Sequence, residues 1–280
     1  MAYDFRYEHF DSVFDFENTV NKRAVNPVFE GRESSYTGTK DFCETKSYAE
    51  ANELLMKGWN TKVQKMEKEL KAFSRTVKAV RTRQKKSVAG HAPCVPNAIR
   101  GVPKSMISVE RVACKKKERT AHLVFLNIGN CLTEAEDLMK AGMTVLKLAV
   151  LLDRAGVRSR IDMVPIATCR DKSCYGCTVK VKDYRQSLNL SKLAYPIAHV
   201  SFFRRHGFRY LETLPGEINS GMRAGHGASQ SKGTEIMQAY LHDAVGVEDA
   251  IVIDYNDCRR VGFDSRKLAE TMRINLEKAE

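Results

Sequence analysis

The chain has 280 residues, 43% of them hydrophobic, which is enough to bury one large core or two smaller ones. No stretch approaches the eighteen or so consecutive apolar residues of a membrane span, and the charged start MAYDFRYEHF lacks the apolar region of a signal peptide. We therefore expect neither a membrane partner nor secretion. Eight cysteines in such a chain favour reduced thiols and a cytoplasmic location over a disulfide framework.

The net charge of +12 is concentrated in one segment. Residues 61–120 contain 17 Lys or Arg and 4 Asp or Glu, whereas residues 1–60 contain 7 and 11. Apolar residues spaced by three and four predict an amphipathic helix from Trp59 to Val80, with basic residues continuing to Lys86. Its exposed face would carry five cations that could contact the phosphates of DNA or RNA. These candidate nucleic-acid-binding residues are Lys71, Arg75, Lys78, Arg81 and Lys85.

Residues 87–106 contain glycines and prolines too often for regular structure, which predicts a linker. This places a helical N-terminal region with a basic, Pro/Gly-rich linker at residues 1–106. A second domain would then span residues 107–280.

The second domain is predicted to alternate strands with helices. An apolar run, Leu123–Leu126, indicates a buried strand, and a capping box of Thr133 and Glu136 predicts that a helix starts there and runs to Gly156. The later predicted elements are strands at 160–167 and 178–182 (the latter at an edge), helices at 196–207 and 234–244, a strand within 249–257 and a helix at 265–278. This order predicts an α/β fold with crossover connections.

The polar residues 127–131 after the first strand, the long helix, the paired strands, the Gly-Thr loop and the strand ending in Asp254 resemble a von Willebrand factor A-type domain. The resemblance covers roughly residues 107–280 and rests on element order. It implies an A-type (Rossmann-like) sheet flanked by helices and preceded by the helical N-terminal region. Divergent A-type domains behind such a region are similar to uncharacterised proteins of tailed bacteriophages, which implies a phage-encoded protein in the host cytoplasm.

The resemblance also implies a metal-ion-dependent adhesion site, in which an Asp-x-Ser-x-Ser loop, a threonine and an aspartate bind one divalent cation. The loop positions correspond to Asn127, Gly129 and Cys131, the threonine to Thr234 and the aspartate to Asp254. A neutral amide, a bare backbone and a soft sulfur replace three oxygen ligands, so we expect a degenerate site without metal. The alternative interpretation is that small residues let a helix start close to the sheet edge.

Cys169, Cys174 and Cys177 form a C-x₄-C-x₂-C pattern. The C-x₂-C part is common in zinc sites and the whole spacing occurs in iron–sulfur proteins, but both need a fourth ligand. The alternative is a tight loop between two strands with three reduced thiols.

The Gly-rich residues 219–234 resemble a phosphate-binding loop but lack the G-x₄-G-K-[ST] order, so a loop over the sheet edge is the plainer interpretation. No nucleophile elbow, H-E-x-x-H or paired-carboxylate signature occurs in the sequence. Two functions follow. The first is a non-enzymatic module that binds a protein partner through the degenerate adhesion-site edge. The alternative is a nucleic-acid-associated protein that uses the basic helix at 62–86.

Overall fold

The structure is a computed structural model. It describes residues 3–60, 63–64, 83–110, 119–129, 133–170, 172–218, 222, 225–229, 232–246 and 249–276. The chain divides into two compact units, one of Met1–Leu70 with Arg119–Glu280 and the other of Lys71–Glu118. The predicted boundary between residues 106 and 107 does not separate these units.

The first unit is built on a mixed sheet. Its strands are β1 (Asp4–Phe10), β5 (Arg119–Leu126), β6 (Val157–Arg170), β7 (Ser173–Lys182), β8 (Ala228–Ser229) and β9 (Ile251–Asp254). They are arranged in the order β1-β7-β6-β5-β9, with β8 paired to β6. β5 runs parallel to β6 and β9, β1 runs parallel to β7, and β6 and β7 form an antiparallel hairpin. The predicted α/β fold, a Rossmann-like sheet flanked by helices with a helical N-terminal region, is confirmed.

Helices cover both faces of the sheet. The α-helices of this unit are α1 (Val13–Lys22), α2 (Ser34–Thr37), α3 (Lys40–Cys43), α4 (Tyr48–Lys57), α6 (Ala135–Arg154), α7 (Leu190–Ala198), α8 (Phe208–Glu212), α9 (Glu235–Ala239), α10 (Tyr255–Arg260) and α11 (Ser265–Thr271). A 3₁₀ helix spans Pro27–Phe29, and π-helices span Phe202–Gly207 and Tyr240–Val245. No helix among the described residues is both long and apolar enough to traverse a lipid bilayer.

Strand β5 shows why the sheet has a core on each face. Successive side chains of a strand point to opposite faces. Leu123 and Phe125 join the larger core with α6 and α7, whereas Val124 and Leu126 join the smaller core with α9 and the π-helix that follows it. All four are almost completely buried, as expected for a strand that is apolar throughout.

The helical N-terminal region begins with a strand, β1, that was not predicted. Residues Asp4–Phe10 pair with β7 and place β1 at the edge of the sheet. Consequently the strand predicted at 178–182 is internal, lying between β1 and β6. The N-terminal residues thus belong to the same fold as the rest of this unit.

Two helix boundaries also differ from prediction. Glu134 caps α6 without a side-chain hydrogen bond, so the capping box of Thr133 and Glu136 is wrong. The helix predicted at 196–207 is two elements, because α7 ends at Ala198 and a π-helix continues directly into α8. Pro196 therefore does not start a helix but lies inside α7. Gly207 does not end a helix, because α8 begins at the next residue.

The second unit contains a small antiparallel sheet. Strands β2 (Arg83–Ser87) and β3 (Ala92–Pro93) both pair with β4 (Met106–Glu110), and helix α5 (Val95–Ile99) lies between β3 and β4. The predicted linker is therefore folded. The predicted basic helix is wrong over residues 83–86, which are strand, so Lys85 does not continue a helix face. Lys71, Arg75, Lys78 and Arg81 lie outside the described residues.

Candidate functional site

The carboxyl ends of β5 and β9 meet at one edge of the sheet. The two strands are parallel neighbours, and Leu126 is paired with Asp254. Asn127 follows β5 directly, so the structure brings the predicted residues Asn127 and Asp254 to the same edge. Ligands of open α/β sheets bind outside the carboxyl ends of the strands, which makes this edge a candidate site.

Asp254 is used here as a helix cap. Its Oδ1 accepts a hydrogen bond from the Asp257 backbone N–H at 2.9 Å, and Asp257 Oδ2 accepts one from the Asp254 N–H at 3.0 Å. Asp254 Oδ2 accepts the Lys232 backbone N–H at 3.1 Å, while the Lys232 ammonium pairs with Asp257. Burial raises the pKa of Asp254, with the Asp257 charge acting in the same direction. Backbone N–H groups therefore already donate to both carboxylates, and Lys232 already pairs with Asp257.

The other residues of the predicted site have structural roles. The Asn127 amide donates to the Ile197 carbonyl at 3.1 Å, and Thr234 caps α9 by accepting the Met237 N–H at 3.3 Å. A Cβ on Gly129 would lie 2.7 Å from Thr133, so the close approach of the chain requires glycine there. This agrees with the interpretation that small residues let a helix start near the edge. Cys131 lies outside the described residues.

These residues do not fit a divalent cation. Both Asp254 oxygens accept backbone N–H groups, Asn127 provides a single neutral oxygen, and Gly129 provides no side chain. Mg²⁺ needs near-octahedral oxygen coordination. No chemistry of a bound metal is therefore assigned to this edge.

Adding Mg²⁺ or Mn²⁺ is accordingly expected to leave the melting temperature unchanged, because the edge has no set of oxygen ligands to offer. Thermal unfolding with each ion, compared with a chelator-treated sample, would test this. A rise of several degrees that disappears in Asp254→Asn would contradict it.

A cavity of about 530 Å³ lies beside this edge. Its walls include Phe42, Phe203 and Phe208, and Thr168 at the end of β6 lines it as well. Ile128, Gly129 and Ser229 also line the cavity, and the Ser229 hydroxyl donates to the Gly129 carbonyl at 3.0 Å. This contact connects the Gly-rich loop to the predicted adhesion-site edge.

His226 is held rigidly in the cavity wall. Its ring stacks between Phe208, at a centroid distance of 4.1 Å, and Phe29, at 5.5 Å. Its Nε2 lies 2.8 Å from Glu212 Oε1, and the Glu212 side chain is completely buried. A carboxylate partner requires Nε2 to carry the proton, so in the neutral ring Nδ1 is the acceptor nitrogen.

Glu212 also binds the N-terminal segment. It accepts a hydrogen bond from the Ser35 backbone N–H at 3.1 Å and another from the Ser35 hydroxyl. The Glu212 carboxylate thus lies between Ser35 and His226. The Ser35 hydroxyl donates its hydrogen bond to Glu212 and not to the His226 imidazole. This order lacks the nucleophile–base contact of a hydrolytic triad.

Neither the cavity nor the buried side chains that hold its wall in place were predicted from the sequence. Two signals were present: the run FFRRHGF places two arginines in an otherwise apolar helix, and His226 lies between two glycines. Arg204 stacks on Phe42, with its guanidinium carbon 4.0 Å from the ring centroid, and Arg205 is completely buried. A buried arginine needs several carbonyl or carboxylate partners, which predicts a covering segment but not which one.

The three clustered cysteines do not converge on one site. Cys169 and Cys174 face each other across the β6–β7 hairpin, whereas Cys177 pairs with Ile166 and lies three residues beyond Cys174, on the opposite face of β7. Within the described parts of the chain, no group of three or more His, Cys, Asp or Glu side chains is placed to hold a metal ion. The zinc and iron–sulfur interpretations are therefore wrong for the described residues.

Comparison with known proteins gives a family. The family described as "Domain of unknown function (DUF7192)" matches residues 5–278, a range that covers parts of both compact units. No curated protein and no solved structure shows a significant match to this chain. Since the match spans nearly the whole sequence, the chain belongs to the DUF7192 family.

Proposed function

We propose that this protein is a non-enzymatic module that binds a protein partner at the carboxyl edge of its sheet. The observation that carries the proposal is the cavity of about 530 Å³ beside Gly129. Its size lies in the range of ligand pockets, roughly 300–1,000 Å³. Gly129 and Thr234 are partly exposed and would belong to the contact surface, whereas Asn127 and Asp254 are buried and would support it from within.

The cavity wall favours an aromatic side chain of the partner. Phe42, Phe203 and Phe208 provide apolar contacts, and no Asp or Glu is found among the described residues that line the cavity. The acceptor nitrogen of His226 can accept a hydrogen bond from an N–H or O–H group. Tryptophan and tyrosine combine an aromatic body with such a donor, and both are enriched at protein interfaces.

N-acetyl-tryptophanamide and N-acetyl-tyrosinamide are suitable probes of this cavity, with N-acetyl-alaninamide as the blank. We expect saturable chemical-shift changes or heats of binding for the two aromatic amides only. Thr37→Trp should abolish binding, because Thr37 is an exposed residue of the cavity wall and an indole there would fill the space.

Thr271→Trp is the matched control. Thr271 is also exposed, also ends a helix and also donates its hydroxyl to the carbonyl four residues earlier, but it does not line this cavity. Binding should persist in this variant. Failure of the wild type to bind either aromatic amide, or unchanged binding by Thr37→Trp, would refute the aromatic-pocket proposal.

A second candidate function is association with DNA or RNA through the basic segment. Its support is the excess of 17 Lys or Arg over 4 Asp or Glu in residues 61–120. Filter binding over a range of salt concentrations tests this, since each lost phosphate contact lowers the logarithmic salt slope by about 0.9. Reversal of Lys71, Arg75 and Lys78 to Glu should abolish binding; no binding by the wild type at low salt removes this candidate.

The relation to A-type domains and the phage origin stay predictions from the sequence. The predicted succession of strand, long helix, paired strands and later strand is present in β5, α6, β6, β7 and β9, which supports the first. A cytoplasmic location is proposed from the cysteine content of the sequence.

A further inference from the structure

Two thiols face each other at the end of the β6–β7 hairpin. Cys169 of β6 is paired directly with Cys174 of β7, one pair before the closing pair of Arg170 and Ser173. Both cysteines are free, and their residues are only 6% and 1% exposed. Directly opposed residues of neighbouring strands point their side chains to the same face of the sheet. The two thiols therefore lie opposite each other on one face of the sheet in the reduced protein.

This arrangement suits a disulfide without movement of the backbone. Directly opposed residues of antiparallel strands have Cα atoms about 4.5–5.5 Å apart, and disulfides form at Cα separations of about 4.4–6.8 Å. Cys177 cannot compete, because it lies on the other face of β7 and belongs to the larger core. Of the three clustered cysteines, Cys169 and Cys174 are therefore the two that are placed to form a disulfide with each other.

We propose that Cys169 and Cys174 form a redox-active dithiol that is reversibly oxidised to a disulfide by peroxides. One thiol attacks hydrogen peroxide to give a sulfenic acid and one water. The second thiol then attacks that sulfur, the S–S bond forms and a second water leaves. Together the two thiols lose two hydrogen atoms, that is two electrons and two protons, and the peroxide is reduced to the two waters.

The disulfide would fix a part of the sheet that adjoins the cavity. Cys169 also pairs with Ala228, and its neighbour Thr168 pairs with Ser229. Near its end, β6 is therefore hydrogen-bonded to β7 on one side and to β8 of the Gly-rich loop on the other. Burial raises the pKa of both thiols, so little thiolate is present at neutral pH and oxidation should accelerate as the pH rises. This proposal does not depend on the proposed function.

The test is oxidation of the reduced full-length protein with hydrogen peroxide, followed by mass spectrometry. The expected product is a monomer lighter by about 2 Da, the mass of two hydrogen atoms, that regains its mass with a reducing agent. Arg170 and Lys172 lie between the two cysteines, so trypsin separates them and a linked peptide pair shows a bond to Cys169. Cys174 and Cys177 share one tryptic peptide, so fragmentation of the linked pair identifies which of them is bonded. This mapping uses the wild type and does not depend on a variant that folds.

Cys174→Ser should abolish the linked pair, and Cys177→Ser should retain it. Cys177 is the matched control because it lies in the same strand and the same tryptic peptide but on the opposite face. The proposal is overturned if Cys169 and Cys174 remain alkylatable after peroxide has oxidised the half-exposed Cys94, or if the bond joins other cysteines.

Discussion

Replacing Arg205 with methionine is expected to lower the free energy of unfolding by about 3–5 kcal/mol. Arg205 is completely buried, and its guanidinium donates to the carbonyls of Ser35, Gly38 and Thr45 at 2.8, 3.0 and 2.7 Å. It also donates to the Thr45 hydroxyl at 2.7 Å. Methionine would fill much of the volume but leave these buried acceptors without donors, which costs about 1–3 kcal/mol for each unsatisfied group. Urea unfolding followed by circular dichroism measures the loss.

Arg259→Met is the control, because Arg259 is an exposed residue of α10. Surface substitutions of this kind change stability by no more than about 0.5 kcal/mol. If the two variants unfold within 1 kcal/mol of each other, a threshold of about twice that surface effect, then Arg205 does not hold the segment from Ser35 to Thr45 in place.

The parts of the fold that were predicted correctly are those with local signals. Leu123–Leu126 is an uninterrupted apolar run, and the long helix before Gly156 is apolar on nearly every side, so burial alone identifies both. Gly156 follows the helix with φ +73°, a conformation that favours glycine and marks the end of α6.

Strand β1 was missed although its sequence contains a signal. DFRYEHF alternates charged and aromatic residues up to Glu8, which is typical of a strand at the edge of a sheet. Its partner β7 lies about 170 residues later, and Asp4 pairs with Ser173. The sequence pattern can indicate a strand, but it does not specify a partner at such a distance.

The cavity was missed for the same physical reason. Glu212 contacts Ser35, 177 residues away in sequence, and His226, 14 residues away. Neither separation matches the spacing of a helix or a strand, so no periodic pattern links these residues. By contrast, Asn127 and Asp254 could be placed at one edge because each directly follows or ends a buried strand.

The contact between α6 and α7 depends on one glycine. A Cβ on Gly142 would lie 2.3 Å from the Cα of Ala198 and 2.3 Å from the carbonyl oxygen of Ile197. Both are backbone atoms, which cannot rotate away as a flexible side chain could. The Ile197 carbonyl also accepts the Asn127 amide, so displacing α7 would disturb the carboxyl edge as well.

Gly142→Ala is therefore expected to destabilise the protein by about 2 kcal/mol, although alanine is the better helix former. Overpacking costs typically about 1–3 kcal/mol, and the propensity gain of up to about 1 kcal/mol offsets only part of it. Gly233→Ala is the control, because a Cβ there meets no atom within 4 Å. It should be neutral or stabilise by up to about 1 kcal/mol. Urea unfolding of both variants measures the change in the free energy of unfolding. If Gly142→Ala stabilises the protein, α7 can move away from α6 at no cost in stability, and the close packing of the two helices does not require glycine.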